Sequence, residues 1–454
     1  VQAGFALVTN PLRDAQTYFL QTKQRHGSAV RSLSTSLTDA GLSERFRRAG
    51  GEMVQPLGLD RRVMKTAMEE ILTGKKTLKG LIRHPIEVTR EAMSFPEAIP
   101  RKAEFKAIEE KFGKGTENAR IAAANAAADV SVNFGRMGIY GRYANQMIPF
   151  FNANIQGISK FIRTARDNPA RSARRAAGML TIPSLALWWI NKDEDWYISL
   201  PAWQKYGFWN FKVGDQIMRL PKPFDWGFVF AAAPEAIADA KYRKDPKPLH
   251  EALGVAADLF IPDVLPAAVR PAIEVSTNFD YFRGREVVPY FMEKYNFAED
   301  QYYPWTSQTV KELGSALGVS PLKLEHILTG YTGGFAKDVL YAGDEVMRVA
   351  GWLKEDPERR DWNPADMPVV GRLFSRDPDP QIIERVHKSN LDNLNTKYKN
   401  RIENMEEQGK SEEEIDAVIE EAVAVFMVLE ERHETWKLAY DRAQSDKEEK
   451  MVKR

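Results

Sequence analysis

Apolar residues recur at helical spacing along most of this chain. Val63, Ala67, Met68 and Ile71 step by three or four across 61–72. Asn118 to Val132 is almost all alanine and small polar residues, a strong helix former that needs close packing because alanine buries little area. Phe151, Ile155, Ile158 and Ile162 fall on one side of a helix that begins at Pro149, with Asn152, Gln156, Ser159 and Arg163 as the adjacent polar stripe. That period accounts for the carboxamides Asn152, Asn154 and Gln156: they fill the hydrophilic side without adding charge. Hydrogen bonds from the carboxamides to neighbouring backbone and a neutral lining for a channel or symmetric contact both fit this stripe. Asn168–Pro169 ends the helix and caps the next. Upstream, Asn10–Pro11 reads as an N-cap with proline in the first turn, while Ser34, Thr35 and Ser36, Gly50–Gly51 and Gly58 read as loops.

The most apolar run, 176–191, is bounded by Arg175 and Lys192 and carries Pro183 in its middle. Its sixteen residues reach about 24 Å as a helix, short of the roughly 30 Å hydrocarbon core of a bilayer. The reading is a buried helix anchored by Trp188 and Trp189, and an interfacial or half-inserted role also suits Trp beside charge. One stretch alternates as strands do. In Phe208 to Leu220 the pair Gly214–Asp215 makes a two-residue turn, Val213 opposes Gln216, Phe211 opposes Met218 and Trp209 opposes Leu220, with four apolar side chains on one face. Ser320–Pro321 reads as a helix start and Gly330 as a stop. Two long helices follow at about 381–408 and 412–450, split by Gly409, with Ser411 and Glu414 as a capping box and Ile415, Ile419, Val423, Phe426 and Leu429 as an apolar stripe.

These elements predict a mainly α fold: a multi-helix body, one small β-hairpin and a C-terminal hairpin of long helices. The divisions read as a basic helical region over 1–132, a helical core over 133–345, a proline-rich linker over 346–380, and the helical hairpin over 381–454. The chain opens on Val1, so it reads as a processed product or a piece of something larger.

Charge changes this picture. Lys and Arg total 64 against 63 Asp and Glu, yet residues 1–176 hold 29 basic and 16 acidic side chains, which is +13 and leaves −12 for the rest. A basic end suits an anionic partner. Lys160, Arg163, Arg166, Arg171, Arg174 and Arg175 recur at helical steps and are candidates for contact with phosphates of DNA or of anionic lipid, a solvated surface being the plain alternative. The absence of cysteine removes disulfides, thiolate nucleophiles and thiolate metal ligands. The six histidines, His26, His84, His250, His326, His387 and His433, show no metal spacing, Gly135, Gly138 and Gly141 make no dinucleotide fingerprint, and there is no P-loop or nucleophile elbow. The expectation is therefore no enzyme, no cofactor, no metal and no small-molecule substrate.

Several segments form an ordered set: TNPLRD (9–14), PFFNANIQG (149–157), WYISLP (196–201), RLPKPFDWG (219–227), PAIEVSTNFDYFRGR (271–285), QYYPWTS (301–307) and SPLKLEHILTGYTGG (320–334). Together they resemble a large polyvalent protein-associated domain across roughly 133–345, a kind of domain found in very long proteins of phages and conjugative elements. The resemblance implies a phage internal virion protein, stored in the capsid, that leaves with the genome and helps build an oligomeric conduit across the host envelope. Its implied partners are other copies, other virion proteins, DNA nearby and possible membrane contact. The alternatives are a DNA-associated virion module of a larger polyprotein, such as one attached to an encapsidated polymerase, and an enzyme of unknown type. The resemblance brings no catalytic residue with it.

Overall fold

The computed structural model describes residues 8–22, 24, 26–51, 85–130, 151–260, 269–281, 285–332, 335–351, 363–367, 370–378 and 380–452. The helical period over 61–72, Gly58, the three spaced glycines and Pro149 lie outside them, as do the side chains of Phe151, Asn152 and Asn154.

Near the start, helices α1 (Asn10–Gln21), α2 (His26–Thr38) and α3 (Ala40–Arg48) are followed by α4 (Pro85–Phe112) and α5 (Glu117–Ala128). The alanine-rich α5 works by close approach: Ala119, Ala123 and Ala127 recur every four residues and are fully buried. Ala123 and Ala127 pack with Leu42, Phe46 and Phe105, and the two rings meet edge to face at 5.6 Å. Two expectations fail here. The Ser34–Ser36 stretch is helical, because Thr35 Oγ1 donates to the Arg31 carbonyl at 3.0 Å and Ser36 Oγ to that of Leu33 at 2.7 Å, so the hydroxyls bond back into the helix and do not break it. Asn10 does not cap α1; Thr9 precedes it in helical geometry with no side-chain cap.

The central body begins with α6 (Phe151–Asp167). Asn168 caps α7 (Pro169–Ala176) by accepting from the Arg171 N–H. A π turn (Ala177–Thr181) then leads into α8 (Ile182–Asn191), followed by the short α9 (Asp195–Ile198) and α10 (Ala202–Gly207). The expected hairpin forms as β1 (Phe208–Val213) and β2 (Gln216–Pro221), with Val213 opposite Gln216, Phe211 opposite Met218 and Trp209 opposite Leu220. Gly214 takes φ +59°, which a two-residue turn asks of its first position. Both faces of the hairpin are covered. Trp209 packs with Leu20, Leu180 and Trp226, and Ile217, on the other face, with Trp188, Trp196 and Tyr197.

Helix α11 (Phe224–Gly227), a second π turn (Phe228–Ala232), α12 (Ala233–Arg243) and α13 (Lys247–Phe260) complete this layer. Then come α14 (Arg270–Ser276), the two-residue strands β3 (Phe279–Asp280) and β4 (Arg285–Glu286), α15 (Tyr290–Tyr295), α16 (Gln308–Leu317), α17 (Pro321–Tyr331) and α18 (Phe335–Val349). Ser320 caps α17 as expected. Gly330 does not end it: a Cβ there would come within 2.7 Å of the Pro271 ring, so this glycine lets α17 lie against α14.

The sheet is larger than the single hairpin expected. A short strand β5 (Phe374–Ser375) adds to β2, pairing Ile217 with Ser375 and Met218 with Phe374, and β3 pairs with β4. Two-residue strands carry no readable alternation. The chain ends in α19 (Pro380–Glu407) and α20 (Glu412–Val452), joined by a capping box in which Ser411 and Glu414 bond each other's backbone N–H. The seam between them holds Val418 and Ala422, with Ile415, Phe426 and Leu429 of the expected stripe half-buried, and leaves Ile419 and Val423 exposed.

Candidate functional site

The segments 169–191 and 224–243 form two helical rods of the same design. Each contains a π turn, in which Ile182 N–H reaches back to Ala177 and Ala233 N–H to Phe228, and each places a proline one residue later, Pro183 and Pro234. Proline offers no N–H and its ring crowds the carbonyl four residues back, so a widened turn relieves the clash. For Pro234 that carbonyl belongs to Phe230, and Thr181 Oγ1 of the other rod donates to it at 2.7 Å. The rods run in the same direction, with Thr181 on Phe230, Trp188 on Asp239 and Lys192 on Arg243.

The first rod buries Ser172, Ala176, Leu180, Ser184 and Trp188 at steps of four. Each such step overshoots an α-helical turn by about 40°, and the π turn takes up part of the drift. The opposite row is exposed and reads Ala170, Arg174, Gly178, Ile182, Ala186 and Ile190. The two tryptophans part company. Trp188 is only 7% exposed and its Nε1 donates to Asp239 at 3.2 Å, whereas Trp189 is 64% exposed. The expectation of a helix anchored by both is corrected: Trp188 belongs to the core and Trp189 to the surface. Lys192 Nζ lies 4.9 Å from the Trp189 ring and 3.8 Å from that of Tyr242, which gives this aromatic surface a cationic rim.

The basic candidates divide as well. Arg166 and Arg174 are exposed, and Arg163 and Arg171 are partly so. Arg175 turns inward: its guanidinium donates to the carbonyls of Phe19, Thr22 and Gln24, gathering the orphan carbonyls after α1. Lys160 Nζ donates to the Val130 carbonyl at 2.6 Å, and burial lowers its ammonium to about 7 against the opposing pull of Asp129. These two side chains tie distant segments of the fold together. On α6 the expected apolar side is only partly turned inward, with Ile158 half-buried. Phe161 fills the core, edge to face with Trp226 at 4.9 Å, while Ile155 and Ile162 are exposed. Gln156 is partly buried.

Beneath the surface lies a charge cluster that periodicity did not reveal. Glu235 and Asp239, one turn apart on α12, face inward among alanines. Lys222 reaches Glu235 at 2.5 Å and Lys205 reaches Asp239 at 2.8 Å, with all four side chains under 10% exposed. Arg243 adds a second cation to Asp239 at 2.8 Å. Burial pushes Glu235 up to about 7 despite Lys222, and the same burial lowers Lys222. For Asp239 burial acts upward, but Lys205 and Arg243 outweigh it and hold the carboxyl below its usual range. Beside this cluster Asn191, Gln204 and Asn210 form a buried amide network, Asn191 Nδ2 donating to the Asn210 carbonyl at 2.9 Å and Gln204 Nε2 to Asn210 Oδ1 at 3.1 Å. The clue was the concentration of Lys, Glu and Asp at positions that fall among alanines and aromatics.

Among the described residues no group of three or more His, Asp or Glu side chains is placed to hold a metal ion, and no helix is long and apolar enough to cross a membrane. No curated protein and no solved structure matches the chain. Residues 194–370, which hold α9 to α18, the hairpin and the charge cluster, match a family model. That model describes large polyvalent protein associated domain 38, to which residues 194–370 are similar.

Proposed function

We propose that this protein is a non-enzymatic structural component of a phage particle, an internal virion protein that leaves with the genome and forms part of an oligomeric conduit at the host envelope. Its partners in this reading are further copies, other virion proteins and an anionic membrane surface. The observation that carries the reading is the outer row of the first rod. Arg174, Ile182 and Ile190 share one phase with Trp189 beside them, and Lys192 stands over the Trp189 ring. Apolar side chains with Trp and a cationic border suit the boundary between acyl chains and headgroups, and the row runs about 30 Å along the rod. Mainly local helical contacts and the absence of cysteine favour a chain that must pass a narrow opening and refold.

The test is flotation with vesicles containing phosphatidylglycerol against vesicles of phosphatidylcholine alone. The wild-type chain is expected to float with the anionic vesicles, and Trp189→Ser/Ile190→Ser to stay at the bottom of the gradient. Equal behaviour of the two proteins refutes the surface. A second reading, a DNA-associated virion module, draws on exposed Arg166 and Arg174. It is favoured if the chain binds duplex DNA with steep salt dependence and ignores both vesicles.

A further inference from the structure

Two exposed helix faces at opposite ends of the sequence are complementary. On α6, Ile155 and Ile162 are 47% and 56% exposed and lie in phase with Arg166, with Arg163 at the edge of the row. On α20, Val423 and Met427 are 51% and 67% exposed, and Asp416 and Glu420 lie just before them on the same side. Both faces stay exposed within one chain, so neither covers the other there. From Ile155 to Arg166, and from Asp416 to Met427, each face runs about 16 Å.

We propose that α6 of one copy docks antiparallel on α20 of the next. Ile155 then meets Met427, Arg166 meets Asp416 and Arg163 meets Glu420. Self-pairing of either face is disfavoured, because it gives the guanidinium groups of α6 and the carboxylates of α20 no partner of opposite charge. A contact between unlike faces is head-to-tail, and it propagates into a ring or a filament. The inference rests on the oligomeric part of the proposed function and names its surface.

The experiment is sedimentation velocity of the full chain over a range of concentrations and salt. The wild type is expected to associate, less so at high salt. Ile162→Glu blocks one face and Val423→Glu the other, and each variant alone is expected to weaken association at least about tenfold. An equimolar mixture of the two variants still has one intact pair of faces, so it forms dimers that grow no further. Arg166→Glu and Asp416→Arg each impair assembly, and together in one chain they restore it. Variants that assemble like the wild type, a mixture that stays monomeric, or a wild type that is monomeric throughout all overturn the contact. Vesicle flotation of the same samples separates the two ideas: a monomer that floats refutes the contact alone, and an assembling chain that does not float refutes the membrane reading alone.

Discussion

Lys222 and Glu235 sit in the interior as a pair in which each ion is tolerable only beside the other. Removing one partner strands the other, which costs far more than replacing both with apolar groups of similar size. At pH 8 Lys222→Met is expected to lower the unfolding free energy by about 3 to 5 kcal/mol, and Lys222→Met/Glu235→Leu to recover most of that loss. Urea titration followed by tryptophan fluorescence reads both, and an equal loss in the single and double variants contradicts the coupling. Arg175 makes a related point. Arg174 and Arg175 are adjacent and chemically identical, yet one is on the surface and the other gathers three carbonyls more than 150 residues away in sequence. Spacing along a helix ranks faces, but it does not say which face meets a distant segment.

At the scale of elements, legibility followed the strength of the local signal. The hairpin register was readable because strict alternation flanks a Gly–Asp turn, and the C-terminal capping box because Ser411 and Glu414 stand three apart before a helical run. Phase was lost where a helix offers two apolar rows. On α20 the small Val418 and Ala422 pack inward while Ile419 and Val423 face out, and on α6 Phe161 takes the core place assigned to the isoleucines. The long-range charge cluster escaped the periodicity because its members come from α10, the turn after β2 and α12. The hairpin of α19 and α20 carries its own pH response. The His387 and His433 rings stack at 3.9 Å, with Glu430 near His387 and Asp195 of the body near His433. Burial first, then His433, lowers the His387 imidazolium below its ordinary value, against the pull of Glu430 and Asp195. The folded state therefore binds fewer protons there than the unfolded state. Its stabilisation is present above pH 6.5 and is lost as pH falls. Hydrogen exchange corrected for intrinsic rates is expected to show weaker protection of 383–433 at pH 5.5 than at pH 7.5, and His387→Phe to flatten that difference.

Over the whole molecule, the +13 of residues 1–176 and the −12 of the remainder give the chain a polarity that suits end-to-end assembly. The same layout sets how the C-terminal hairpin is tied to the body. Between α18 and α19 the polypeptide returns to the sheet through β5, which adds two residue pairs to the edge of β2. Mechanical load applied at Arg454 would meet this short ladder ahead of the cluster around Trp226. In an optical trap, a small first rip of the C-terminal segment should precede the yielding of the central domain, and Phe374→Pro should remove that separate event. A chain tugged tail first would thus shed its trailing arm while its interior stayed knit.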